Sequence, residues 1–150
     1  FMTMTKGYGI LNHTFKEYLP IEDINSTERK VGVLVATEAG KATAYALGQL
    51  EDRGVMFIEP GTEVYEGMIV GECNRENDLA VNVVKGKQLT NTRASGSDHT
   101  VVLKRPWPLT LEYCLDYINT DELVEITPEN IRLRKFILNT EARKKFDAKK

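Results

Sequence analysis

Several things are missing from this 150-residue sequence, and each absence removes a class of function. No apolar run approaches the roughly 20 residues that a membrane-spanning helix needs, and no signal-peptide pattern opens the chain. Histidine occurs twice, at His13 and His99, and cysteine twice, at Cys73 and Cys114. None of these has a second His or Cys at ligand spacing, so no metal site is assigned, and reduced cytosolic thiols are the simplest reading. The nearest thing to a nucleophile set is Ser95, Ser97, Asp98 and His99. Neighbours on one loop cannot hold triad geometry without a supporting scaffold. Gly40-Lys41 looks like the end of a phosphate-binding loop, but Val35 stands where the first glycine belongs and Ala42 where Ser or Thr belongs. No catalytic residue follows from these patterns, and no cofactor is expected on this chain.

What is present is a segregation of charge. Hydrophobic residues make up 41% and charged residues 28%, enough apolar material for a real core. The net charge of −2 divides into blocks: −6 over residues 1–84, +4 over 85–105, −5 over 106–128 and +5 over 129–150. A local basic block can bind phosphates even on an acidic chain.

The block from Lys85 to Arg105, KGKQLTNTRASGSDHTVVLKR, holds five Lys or Arg against one acid. Its middle is hydroxyls, amides and small residues, with AVNVV before it and TVVL after it. A long stretch without periodicity is usually functional or disordered, and cationic and polar donors suit a phosphate backbone. The candidate RNA contacts are Lys85, Lys87, Gln88, Asn91, Arg93, Ser95, Gly96 and Ser97, with Gly96 allowing close backbone approach. Composition alone fits a solvated hairpin loop equally well. A second, weaker patch comprises Lys41, Arg132, Arg134 and Lys135, for which a solvated strand face is the rival reading. Tyr8, Tyr45, Tyr65, Tyr113 and Trp107 are not interleaved with the basic clusters, so they read mostly as core rather than as a stacking platform.

In chain order, residues 1–18 read as an incoming strand and a polar connection, with the opening FMTMTKGYG suggesting a strand cut from something larger. Residues 19–30 form a polar boundary. Val31 to Thr37 is a buried strand. Ala42 to Arg53 has helical spacing, with Gly54 as its C-cap. Strands follow over Val55–Ile58, Thr62–Glu72 and Leu79–Val84, with Gly67 and Gly71 marking a bulge or bend. Thr100–Leu103 leads out of the basic segment. Thr110 caps a helix over Leu111–Ile118 whose apolar face is Leu111, Cys114, Leu115 and Ile118. Glu122–Ile126 and Ile131–Leu138 are strands, and Thr140 starts a short helix. The expected fold is mainly β with inserted helices (α+β): a partly open, barrel-like domain of the oligonucleotide-binding type.

The runs GYGILNHTFKEY (7–18), VLVATEAGKATAYALGQLEDRGVMFIEPGTEVYEGMIVGE (33–72), KQLTNTRASGSD (87–98) and DELVEITPENIRLRKFIL (121–138) resemble the C-terminal region of the BipA/TypA family of ribosome-associated translational GTPases. The resemblance covers nearly the whole chain. It implies that residues 1–30 are the end of a ferredoxin-like elongation-factor domain plus a linker. Residues 31–138 would be the family's own C-terminal domain, and residues 139–150 a basic tail. GTP and Mg would belong to a G domain elsewhere in the family's architecture. The partners implied are the ribosome, mainly large-subunit rRNA and A-site tRNA, for a cytoplasmic monomer with no membrane contact. The segment Lys85–Asp98 would reach toward the peptidyl-transferase centre and the tRNA acceptor end. The family is linked to large-subunit assembly and to growth under stress or cold. The alternative is a protein-interaction module contacting ribosomal proteins or the G domain.

Overall fold

In the computed structural model, residues 1, 5, 7–20, 29–86 and 103–148 are described. Two apolar runs form the centre. β1 (Val33–Ala36) is buried throughout, and so is β5 (Met68–Cys73) except at Glu72. Their unbroken apolar character reflects packing on both faces. Leu34, Ala36, Met68 and Val70 meet Leu47 and Leu50 of α1 (Ala44–Leu50) in one cluster. Val33, Val35 and Ile69 meet Cys114 and Tyr117 of α2 (Leu111–Tyr117) in the other. The sheet is thus the middle of three layers.

β1 and β5 pair antiparallel, with the register stepping between Leu34 and Val35 so that Val70 is the extra residue of a bulge beside Gly71. β6 (Leu79–Val81) lies parallel on the other edge of β1. The second edge of β5 is divided: Met68 and Ile69 pair with β8 (Ile131–Lys135), while Gly71 to Cys73 pair with β3 (Gly54–Met56). β7 (Glu122–Ile126) completes a hairpin on β8. β2 (Gly40–Lys41) and β4 (Glu63–Val64) form a separate two-stranded ribbon. A third helix, α3 (Thr140–Asp147), starts at Thr140 as expected and takes Asn139 as its N-cap. None of the helices among the described residues is long and apolar enough to cross a membrane.

The mainly-β architecture with inserted helices is as expected, but the sheet does not close into a barrel among the described residues: β6 and β7 lie at its two ends. At β5 the sheet also forks, with β8 and β3 each taking part of one edge. Other expectations change locally. The run 62–72 breaks into β4 and β5 at Gly67, whose φ of +87° reverses the chain. A Cβ there would sit 2.6 Å from the Leu138 Cα. Gly54 is not a helix cap but the start of β3, where a Cβ would lie 1.8 Å from the Glu72 carbonyl oxygen. Leu115 does not face the core: it is 58% exposed and Leu111 38%, while Tyr117 takes their place beside Cys114. No strand forms in the described part of residues 1–20, where Tyr8, Ile10, Phe15 and Tyr18 are exposed. A lone strand has no ladder to join.

The layers are joined by a buried ionic cluster centred on Glu122, whose side chain is 0% exposed. Its carboxylate accepts two hydrogen bonds from Arg29 (2.7 and 3.0 Å), one from the Asn119 N–H (3.1 Å) and one from Lys135 Nζ (2.9 Å). Lys135 also reaches Asp78 and Asp121 at 2.6 and 2.7 Å. Arg29 further donates to the Val31 and Tyr117 carbonyls and lies 4.4 Å over the Tyr117 ring. Burial is the largest single influence on Glu122 and pushes its pKa up. The bonds from Arg29 and Lys135 together outweigh it and hold the carboxyl below its usual range. For Lys135, burial likewise pulls down, and the three carboxylates raise it overall.

Two outcomes follow. Arg29→Met leaves Glu122 short of its main partner and should cost about 3–5 kcal/mol in urea-induced unfolding; an unchanged midpoint would show that the cluster does not hold the fold. The Glu122 contribution is present above the ordinary glutamate value of about 4.3 and is lost as pH falls through the depressed folded value. The Lys135 contribution is present below about 10.4 and is lost as pH rises through the elevated one. Stability should therefore be flat across neutrality and fall in acid, and Glu122→Gln should flatten the acid limb of a pH-dependent melting curve.

Candidate nucleic-acid interface

Thr43 begins α1. Its hydroxyl accepts from the Ala46 N–H (3.1 Å), the capping role expected of Thr before a helix. The same oxygen donates to the Lys85 carbonyl at 2.7 Å, and the Thr43 N–H bonds the Val83 carbonyl at 2.9 Å. Asn82 accepts from the Val84 and Lys85 N–H groups, both at 3.0 Å, as a local turn. At the far end of α1, the Glu51 carboxylate accepts from the Lys104 N–H at 2.5 Å, and the Trp107 N–H bonds Met56 at 2.8 Å.

Helix α1 thus stands between the two roots of the basic segment, and the rise from its N-cap Thr43 to its C-cap Glu51 sets them about 12 Å apart along its axis. This is a spread base rather than a tight hairpin. On the entry side the strand ends at Val81, and Leu103 on the exit side is in no strand. Residues 100–102 lie outside the described residues, as do Lys87, Gln88, Asn91, Arg93, Ser95, Gly96 and Ser97.

Of the expected loop contacts, Lys85 is described, and it is exposed at the entry root. Lys104 and Arg105 are exposed at the exit root. Lys41 was grouped with Arg132 and Arg134, but it belongs with the entry root. Its neighbour Gly40 abuts Val84, where a Cβ would be 2.7 Å from Cγ1, and Thr43 two residues on holds Lys85. Among the described residues, none of Lys41, Lys85, Lys104 and Arg105 has a carboxylate partner. A cavity of about 260 Å³ lies beside the exit root, lined by Leu47, Glu51, Met56 and Arg105 among others.

The second patch does not hold together. Lys135 is 3% exposed and all three of its N–H donors are engaged by carboxylates inside the fold, so it is not a surface cation. Arg132 and Arg134 are half-buried on the opposite face of β8. Arg132 pairs with Glu125 at 3.4 Å, and Glu125 also accepts from the Tyr65 hydroxyl at 2.5 Å. Asp78, Asp121 and Glu122 converge closely enough to hold a metal ion, but the Lys135 ammonium occupies that position. Cys73 and Cys114 are free and buried, and burial pushes the Cys114 thiol up, away from reactivity.

Sequence reasoning missed Thr43, Glu51 and Arg29. Thr43 carried a readable signal, a capping residue directly before AYALGQL. Glu51 and Arg29 did not, because their roles depend on partners far along the chain.

Comparison with known proteins gives matches along the whole chain. A family model described as the TypA/BipA C-terminal domain matches residues 31–140. The Bacillus subtilis protein named large ribosomal subunit assembly factor BipA is 55% identical over 150 residues, covering 100% of this chain and 24% of that protein. A Synechocystis protein of the same name is 56% identical over 135 residues, 90% of this chain and 22% of its own length. One from Haemophilus influenzae is 48% identical over 145 residues, 97% and 24%. The chain therefore spans about a quarter of the length of these curated relatives.

Thr43→Ala removes both the helix cap and the Lys85 anchor. It should cost about 1–2 kcal/mol by chemical denaturation, with Thr43→Ser recovering most of it. Equal losses for the two variants would show that the hydroxyl is not what matters.

Proposed function

The chain belongs to the TypA/BipA C-terminal domain family, and from that membership we propose that it is the RNA-facing domain of a ribosome-associated translational GTPase acting in large-subunit assembly. The observation that carries this reading is the set of cations Lys41, Lys85, Lys104 and Arg105 at the two roots of the basic segment, none with a carboxylate partner among the described residues. Surface cations without acid partners release counterions when they meet phosphates, and that supplies sequence-independent affinity. They are held on a rigid base, so the segment they flank is presented from a fixed origin.

In this reading Lys85, Lys87 and Arg93 neutralise rRNA or tRNA phosphates. Gln88, Asn91, Ser95 and Ser97 supply directional hydrogen bonds, and Gly96 admits the backbone close to the RNA. The segment points toward the peptidyl-transferase centre and the acceptor end of A-site tRNA. Residues 1–30 are the end of a ferredoxin-like domain and its linker, and residues 31–138 are the family's own domain. Residues 139–150 are a basic tail whose first part is α3. GTP and Mg belong to the G domain of the longer protein, and the domain itself performs no chemistry. The protein works in the cytoplasm as a ribosome-bound monomer, with a role under stress or cold.

A second reading has one observation in its favour. Phe136 is 69% exposed and Phe146 50%, and exposed aromatics suit a contact with ribosomal protein or with the G domain.

Ribosome co-sedimentation of protein carrying Lys87→Ala and Arg93→Ala checks the first reading. Loss of two phosphate contacts should weaken binding and flatten the slope of log affinity against log salt by about 1.4–1.8. Binding that is unchanged at raised salt removes the loop assignment.

A further inference from the structure

Of the aromatic residues that the sequence pattern reads mostly as core, Tyr8 and Trp107 are exposed in the structure. Trp107 is 50% exposed, and it is held in place. Pro106 and Pro108 flank it and restrict the backbone, while its backbone N–H donates to the Met56 carbonyl at 2.8 Å. Its ring packs on Tyr113 with centroids 5.9 Å apart and planes tilted by 38°. Tyr113 stacks on Tyr117 at 5.3 Å and 23°. The Arg29 guanidinium covers Tyr117 at 4.4 Å. Phe57 braces both tyrosines edge-on, at 6.4 and 5.5 Å. This series of π contacts begins at a buried cation and ends at the surface on a half-open indole.

An exposed indole braced on one side is costly to leave in water and well suited to a flat partner, because its fixed backbone and its contact with Tyr113 reduce the side-chain entropy lost on stacking. The adjoining charges say which flat partner. Lys104 and Arg105 immediately precede Pro106, are exposed, and have no carboxylate partner among the described residues. A planar ring beside two free cations matches an unpaired nucleotide, with its base on the indole and its phosphates on Lys104 and Arg105.

We infer that Trp107, with Lys104 and Arg105, forms a stacking site for an unpaired RNA base at the exit root of the basic segment. The inference rests on the RNA-facing reading and adds to it a site outside the segment itself. The competing occupant is a protein: Leu111 and Leu115 on α2 are exposed beside the acids Glu112 and Asp116, a surface that would suit a basic peptide.

Trp107 is the only tryptophan of the 150-residue chain, so its fluorescence reports on this site alone. Titration at low salt with single-stranded oligoadenylate should quench it saturably. Inorganic polyphosphate of matched charge should leave it bright. Trp107→Ala should weaken oligoadenylate binding by about 5- to 150-fold, Trp107→Phe by less, with thermal unfolding monitored for each variant. Lys104→Ala with Arg105→Ala should weaken binding of both probes.

Oligoadenylate that binds, by anisotropy of a labelled strand, without quenching and equally well to Trp107→Phe overturns the stacking site while the RNA-facing reading stands. No binding of any RNA at low salt overturns both. Quenching by a basic ribosomal-protein peptide but not by oligoadenylate overturns the site in favour of the protein occupant.

Discussion

One carboxylate, that of Glu122, decides whether this domain can close. It is fully removed from water and accepts from Arg29 ahead of β1, from Asn119 just past α2 and from Lys135 on β8. Through Lys135 it is linked to Asp78 at the start of β6. Such a group gains little over a well-packed apolar replacement in net free energy, but it penalises every arrangement in which a partner is missing. The apolar clusters tolerate small shifts, since hydrophobic contact is not directional. The ionic cluster does not. It converts five loosely specified neighbours into one register, with Glu122 opposite Lys135 across the β7–β8 ladder.

That fixed frame explains how the opposite face is used. Because β1 and β5 are buried on both sides, α1 is set against a surface that cannot yield, and its two ends become reliable anchor points. Thr43 takes the chain entering the basic segment and Glu51 takes it leaving. The helix is short, seven residues, and would be marginal alone. Its tertiary contacts through Ala46, Leu47 and Leu50 make it a strut. The anchoring is done at the ends of a structural element rather than along it.

How much of this the sequence disclosed depended on the range of the interaction involved. β7 is found where β-propensity places it, and Thr110 caps α2 as read, because both depend on neighbours a few positions away. Along β8, Leu133 and Lys135 alternate with half-buried arginines, which places the lysine on the inward face. What the sequence could not supply were the acids that receive it, so Lys135 read as a surface cation. Leu115 misled for the complementary reason: helical spacing identifies an apolar stripe but not which part of it a sheet will cover. The fork on β5 depends on two strands competing for one edge, and no local pattern encodes that. Within the basic segment, the candidate contacts beyond Lys85 lie outside the described residues, and of the two side chains that hold its roots only Thr43 carried a local signal.

The Arg29–Glu122 pair joins positions 93 residues apart. A ribosome adding about 5–20 residues per second needs about 5–20 s to make that stretch. Throughout that interval Arg29 is a cation without its carboxylate, α2 is made only near its end, and β8, which holds the first residues of β5, comes later still. The first sheet pairing, β1 with β5, can form early, but one face of it stays uncovered until the far half of the domain arrives. Completion is therefore set by the progress of translation, and the chain is most exposed to proteases and to wrong contacts in the seconds before Glu122 is made.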